Sequence, residues 1–145
     1  MDPGNPIRAC DIMHREVISV GEDTDVWELA RILAQNRISG APVVDSEGNV
    51  VGVVSESDIV AHLERISRAQ GPGNFYSQAD QEGDPPCSMV MARDLMSRNV
   101  IQASEESSAQ EISRLMLRQR VHRVIITRGR KLAGIVTTTD LLRVI

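Results

Sequence analysis

Aromatic residues are nearly absent from this 145-residue chain, which holds one Trp, one Tyr and one Phe. Its core must therefore be filled by Val, Ile, Leu and Met, side chains that suit a small sheet covered by helices. Cysteine is equally scarce. Cys10 and Cys87 stand far apart with no paired spacing, which excludes a disulfide framework and fits free thiols in a reducing compartment. No apolar run approaches the roughly 20 residues that span a bilayer, and the segment Met1-Asp2-Pro3-Gly4-Asn5-Pro6 lacks the apolar stretch of a signal peptide. The expectation is a cytoplasmic protein that meets no membrane. Positive charge is in deficit too: with a formal charge of -4 and a pI near 5.4, no basic excess is at hand to displace counterions from nucleic acid. What is present, 41% hydrophobic and 25% charged residues, is the balance of an ordinary globular protein with one shared core.

The chain repeats itself. Ala9-Cys10-Asp11-Ile12-Met13 returns as Ala92-Arg93-Asp94-Leu95-Met96, and Val17-Ile18 as Val100-Ile101, at an offset of 83. The same offset relates Glu28 to Glu111, Arg31 to Arg114 and Arg37 to Arg120; after a one-residue deletion in a turn, an offset of 82 aligns Gly52–Asp58 with Gly134–Asp140. Asp25 and Ser108 each stand three residues before a Glu, the spacing of a capping box, which predicts a helix start in each copy. Val26, Leu29, Ala30 and Leu33, and then Ala109, Ile112, Leu115 and Met116, give each helix one apolar stripe. Short β-branched runs flank Asp45-Ser46-Glu47-Gly48-Asn49 and Arg128-Gly129-Arg130-Lys131, which predicts two hairpins, each running into a helix near Ser55 or Thr137. The expected fold is α/β (α+β), with two β-α-β-β-α repeats related by a pseudo-twofold axis and packed sheet to sheet, because about 50 residues alone bury too little apolar surface. The repeats are placed at 7–64 and 91–145, with a Gly/Pro-rich loop at 65–90 in which Phe75 and Tyr76 act as anchors.

Chemistry is best placed at Ser55-Glu56-Ser57-Asp58 and Thr137-Thr138-Thr139-Asp140, where a strand turns into a helix. Helix-start amides and hydroxyls suit an anion such as phosphate, and a carboxylate one turn in can accept from both ribose hydroxyls. The same spacing is also that of an ordinary cap that needs no ligand, and on spacing alone the cap is favoured.

Taken with the Asp-(Ile/Leu)-Met starts, the Ala41-Pro42-Val43-Val44-Asp45 strand and the duplication, these endings resemble the CBS domain, present here as a tandem pair or Bateman module. The resemblance covers about residues 7–64 and 90–145. It implies a stand-alone regulatory module, a disc-like homodimer, and inter-repeat clefts holding an adenosine compound: AMP, ADP or ATP, with S-adenosylmethionine or NAD(H) less favoured. No cofactor is required, and a regulated partner is implied without being named. Carried over, one nucleotide-binding set is Thr24, Ile38, Ser39 and Gly40 with Ile135, Thr137, Thr139 and Asp140. The other is Ser107, Val121, His122 and Arg123 with Val53, Ser55, Ser57 and Asp58. His122-Arg123 resembles the phosphate-binding stretch of the nucleotide-sensing subunit of AMP-activated protein kinase, whereas the first repeat has Ser39-Gly40 there and adds Glu56. The two sites are therefore expected to be unequal, with at most one binding tightly.

Other residues read more plainly. Cys10 and His14 lie four apart on an expected short helix, but two ligands do not make a metal site, and none is expected. Asp58 and His62 are read as a helical ion pair, and Met13, Met96 and Met116 as core, with 7–13 and 90–96 as alternative dimer-face segments. No catalytic motif is found, so no enzymatic activity is expected. Two further readings stand beside nucleotide binding: a ligand-independent interaction and dimerisation scaffold, and a divalent-cation (Mg) sensor, suggested by the acidic balance.

Overall fold

A computed structural model describes residues 6–70 and 90–144. The order of elements is α1 (Ala9–Ile12), β1 (Val20–Gly21), α2 (Val26–Asn36), β2 (Gly40–Val44), β3 (Val50–Ser55), α3 (Glu56–Gln70), α4 (Ala92–Leu95), β4 (Gln102–Ser104), α5 (Ala109–Gln119), β5 (Arg123–Arg128), β6 (Lys131–Thr137) and α6 (Thr138–Leu142). The strands form two three-stranded sheets, β1-β2-β3 and β4-β5-β6, so the fold is mixed α/β. Within them β1 runs parallel to β2 and β4 parallel to β5, while β5 and β6 form an antiparallel hairpin that pairs Arg123 with Thr137.

Local chemistry sets the element boundaries. The Asp25 carboxylate accepts from the Glu28 amide at 2.8 Å and the Ser108 hydroxyl from the Glu111 amide at 3.1 Å, so both expected helix starts are capped. Both helices end alike, on Arg37 at φ 54° and Arg120 at φ 56°, left-handed conformations that usually fall to glycine. The hairpin turns place Gly48 at φ 85° and Gly129 at φ 62°. α3 runs on to Gln70, so residues 65–70, expected in the loop, continue the helix. The rest of that loop, with Phe75, Tyr76 and Cys87, lies outside the described residues.

The chain divides into two compact units that do not follow chain order: Ser19–Ser46 with Val51–Asn99, and Met1–Ile18 with Glu47–Val50 and Val100–Ile145. The leading helices are exchanged. In the first unit Leu29, Val43 and Val54 pack around Ala92 and Leu95 of α4, the helix that opens the second repeat. In the second unit Ile112, Val124, Ile126 and Val136 pack around Ala9 and Met13 of the α1 segment, which opens the first repeat. Ala9 and Ala92 are fully buried, so one face of each segment belongs to the core. Met13 and Met116 are buried as expected, and Met96 packs partly buried against the first core.

Backbone bonds hold each exchanged segment. The Ala92 amide donates to the Thr24 carbonyl at 2.7 Å, and Val53 and Ser97 exchange bonds at 2.9 and 2.8 Å. Likewise Ala9 donates to the Ser107 carbonyl at 2.8 Å, and His14 and Ile135 exchange bonds at 2.9 and 3.0 Å. Such close approach needs glycine in the strand beneath. A Cβ on Gly52 would stand 2.5 Å from the Met96 sulfur and 2.8 Å from the Ser97 carbonyl oxygen, and one on Gly134 would stand 2.7 Å from the His14 carbonyl oxygen.

Candidate functional site

Each unit carries one strand-to-helix turn. At the end of β3, the Asp58 Oδ2 accepts from the Ser55 amide at 2.8 Å and from the Ser55 hydroxyl at 3.1 Å, while the Asp58 amide donates back to that hydroxyl at 3.3 Å. At the end of β6, Asp140 makes the same three contacts with Thr137, at 2.8, 3.0 and 3.3 Å. Ser55 and Thr137 are thus occupied as caps. The exposed Ser57 and Thr139 are the hydroxyls left facing outward.

Neighbouring strand starts complete each set. In the first unit the Glu56 amide donates to the Ser39 carbonyl at 2.8 Å, bringing Ser39-Gly40 beside Ser55. A Cβ on Gly40 would lie 2.9 Å from the Val54 carbonyl oxygen, so no side chain stands there without displacing β3. In the second unit the Thr138 amide and hydroxyl donate to the His122 carbonyl at 2.9 and 3.0 Å, bringing His122-Arg123 beside Thr137. Arg123 is exposed and makes no ion pair among the described residues. Each unit therefore gathers half of each expected set: Thr24, Ile38, Ser39, Gly40, Val53, Ser55, Ser57 and Asp58 in one, and Ser107, Val121, His122, Arg123, Ile135, Thr137, Thr139 and Asp140 in the other. Ser107 is engaged locally: its hydroxyl accepts from the Ser104 amide at 3.2 Å.

The two carboxylates differ in one respect. Oδ1 of Asp140 meets Nε2 of His14 at 2.8 Å, with a guanidinium nitrogen of Arg143 at 3.8 Å, whereas Oδ1 of Asp58 bonds to no described residue. Burial pushes the Asp140 carboxyl up, but the Thr137 amide and hydroxyl, followed by the His14 ring, favour the charged form and leave the carboxyl below its usual value. Sequence spacing did not reveal His14 as a partner. It lies beyond the end of α1, after the extended cap residue Met13, so it does not share a helical face with Cys10 as expected.

The expected Asp58–His62 pair does not form, because Asp58 turns back to cap its own helix. The His62 Nε2 is buried without a hydrogen-bond partner among the described residues; burial, then the nearby Arg65, lower its pKa against a smaller opposing effect of Asp94. Among the described residues, no three or more His, Cys, Asp or Glu side chains are grouped to hold a metal ion, and no helix is long and apolar enough to cross a membrane.

The CBS domain signature matches residues 9–65 and 92–145. The chain belongs to the CBS-domain family. An uncharacterized protein of Methanocaldococcus jannaschii (MJ1426) is 31% identical over 91% of this chain and 87% of its own length. The inosine-5'-monophosphate dehydrogenase of the same organism is 27% identical over 94% of this chain, which spans only 23% of that enzyme. The chain spans less than half the length of several of its curated relatives. Among solved structures, the CBS domain of a CBS-domain-containing membrane protein from Sphaerobacter thermophilus is 28% identical, with a TM-score of 0.71 over 97% of this chain and 88% of its own. CBSX2 in complex with AMP shares the fold at 21% identity, with a TM-score of 0.71 over 95% of each chain. This CBS pair thus matches a segment of several larger proteins and shares its fold with CBSX2, which was solved in complex with AMP.

Proposed function

We propose that this CBS pair is a non-enzymatic regulatory module, a cytoplasmic homodimer that binds AMP, ADP or ATP at its strand-to-helix turns and passes occupancy to a separate protein. The observation that carries the reading is the Asp58 turn. Oδ2 is anchored by two bonds from Ser55 while Oδ1 is left open, on the first turn of the 15-residue α3 beside the exposed Ser57. A carboxylate so fixed can take ribose hydroxyls with little further ordering, and a helix start of that length favours a nearby anion. At the Asp140 turn of the other unit, Arg123 beside Thr137 supplies a planar cation suited to phosphate oxygens. The AMP-bound CBSX2 supports the compatibility of this fold with such a ligand.

The satisfied hydroxyls of Ser55 and Thr137 favour a second reading, in which the turns are only caps and the module is an interaction scaffold. Thermal unfolding separates the two. With AMP, ADP, ATP, S-adenosylmethionine, NADH and magnesium each in large excess, one adenosine compound should raise Tm by several degrees in the wild type, since about a hundredfold excess over Kd adds roughly 2.7 kcal/mol. Asp58→Ala should lose most of that shift. Silence of all the adenosine compounds supports the scaffold, and a shift with magnesium alone supports cation sensing.

A further inference from the structure

We infer that His14 decides which of the two turns takes ligand, holding the Asp140 turn closed and leaving the Asp58 turn open. This rests on the nucleotide-binding reading above. The backbone of the exchanged segment fixes the imidazole: His14 and Ile135 bond reciprocally, and the His14 carbonyl lies against Gly134 so closely that no Cβ fits. From that anchor Nε2 reaches Oδ1 of Asp140, the oxygen that a ribose diol would need, because Oδ2 already takes both bonds from Thr137. The first unit has the same scaffold with a different side chain. Ser97 occupies the position equivalent to His14 and makes the same reciprocal bonds, with Val53, against Gly52. Its short side chain caps the Asn99 amide at 3.3 Å and does not bond Asp58. This one difference between the halves, Ser97 against His14, thus makes the two ribose acceptors unequal.

Ligand at the Asp140 turn must displace an imidazole from a buried carboxylate. His14 is half exposed, so solvent discounts the pair, and the displacement should weaken binding by about tenfold.

Calorimetric titration of the full chain with AMP, ADP and ATP tests this. The wild type should show a stronger site, weakened tenfold or more by Asp58→Asn, and a second site roughly tenfold weaker. His14→Ala should strengthen the weaker site about tenfold. His14→Gln, which keeps a neutral donor, should leave that site weak, so that a gain in His14→Ala traces to the lost donor and not to a loosened segment. If His14→Ala binds with the wild-type affinities, His14 does not control occupancy, although the module still binds nucleotide. If neither wild type nor His14→Ala binds any of the three, nucleotide binding itself fails and this assignment with it.

Discussion

Gly52→Ala tests the exchange of leading helices. The added Cβ would sit 2.5 Å from the Met96 sulfur and 2.8 Å from the Ser97 carbonyl oxygen. The thioether can swing aside; the carbonyl cannot, because Ser97 is held by its reciprocal bonds to Val53 at 2.9 and 2.8 Å. Relief therefore requires the α4 segment to lift, weakening two backbone bonds and loosening Ala92 and Leu95 from the first core. Overpacking of this kind costs about 1–3 kcal/mol, and each of the two weakened bonds adds roughly 0.5–1.5 kcal/mol, so a loss of about 2–6 kcal/mol is expected. Urea unfolding should show it as a lowered midpoint with little change in slope. Gly129→Ala is the control: nothing stands within 4 Å of the new Cβ, but φ is +62°, so only conformational strain of roughly 1 kcal/mol should register. A loss at Gly52 no larger than the control's would refute the tight docking of α4 on β3.

Arg120→Gly should stabilise the protein by about 0.5 kcal/mol, because relief of the left-handed strain at φ 56° exceeds the added freedom of the unfolded chain; equilibrium unfolding that shows a loss would contradict this. Stability should also decline in acid. The Asp140 carboxyl is depressed in the folded state, so its contribution is complete above the unfolded value of 3.8 and disappears as pH falls through the folded one. His62, also depressed, contributes fully above 6.5 and loses its contribution as pH falls from there through its folded value; His62→Gln should remove that earlier step from a stability profile but leave the Asp140 step.

Duplication, helix starts and hairpins were legible because each has a local signature: a carboxylate or hydroxyl three residues before a Glu amide, β-branched runs, and glycine where φ turns positive. The exchange was not. Ala9 and Ala92 announce a buried helix, yet nothing in five residues says which of two similar cores will hold it. His14 was missed for the same reason, since its partner lies 126 residues away. Asp58 and His62 show the converse. Their helical spacing permitted a pair, but an N-cap hydroxyl three residues upstream competes for the carboxylate and takes it, leaving the His62 Nε2 buried without a partner among the described residues. At Ser55 and Thr137 the plain capping reading is realised in full, and Oδ1 of Asp58 bonds to no described residue.

The most direct test of nucleotide regulation is equilibrium binding of AMP, ADP and ATP to the wild type and to Asp58→Asn, which keeps the size of the side chain but removes its charge. Saturable binding of at least one nucleotide, weakened tenfold or more by the substitution, is the expected result. Binding unaffected by Asp58→Asn, or no binding of any of the three, would contradict it.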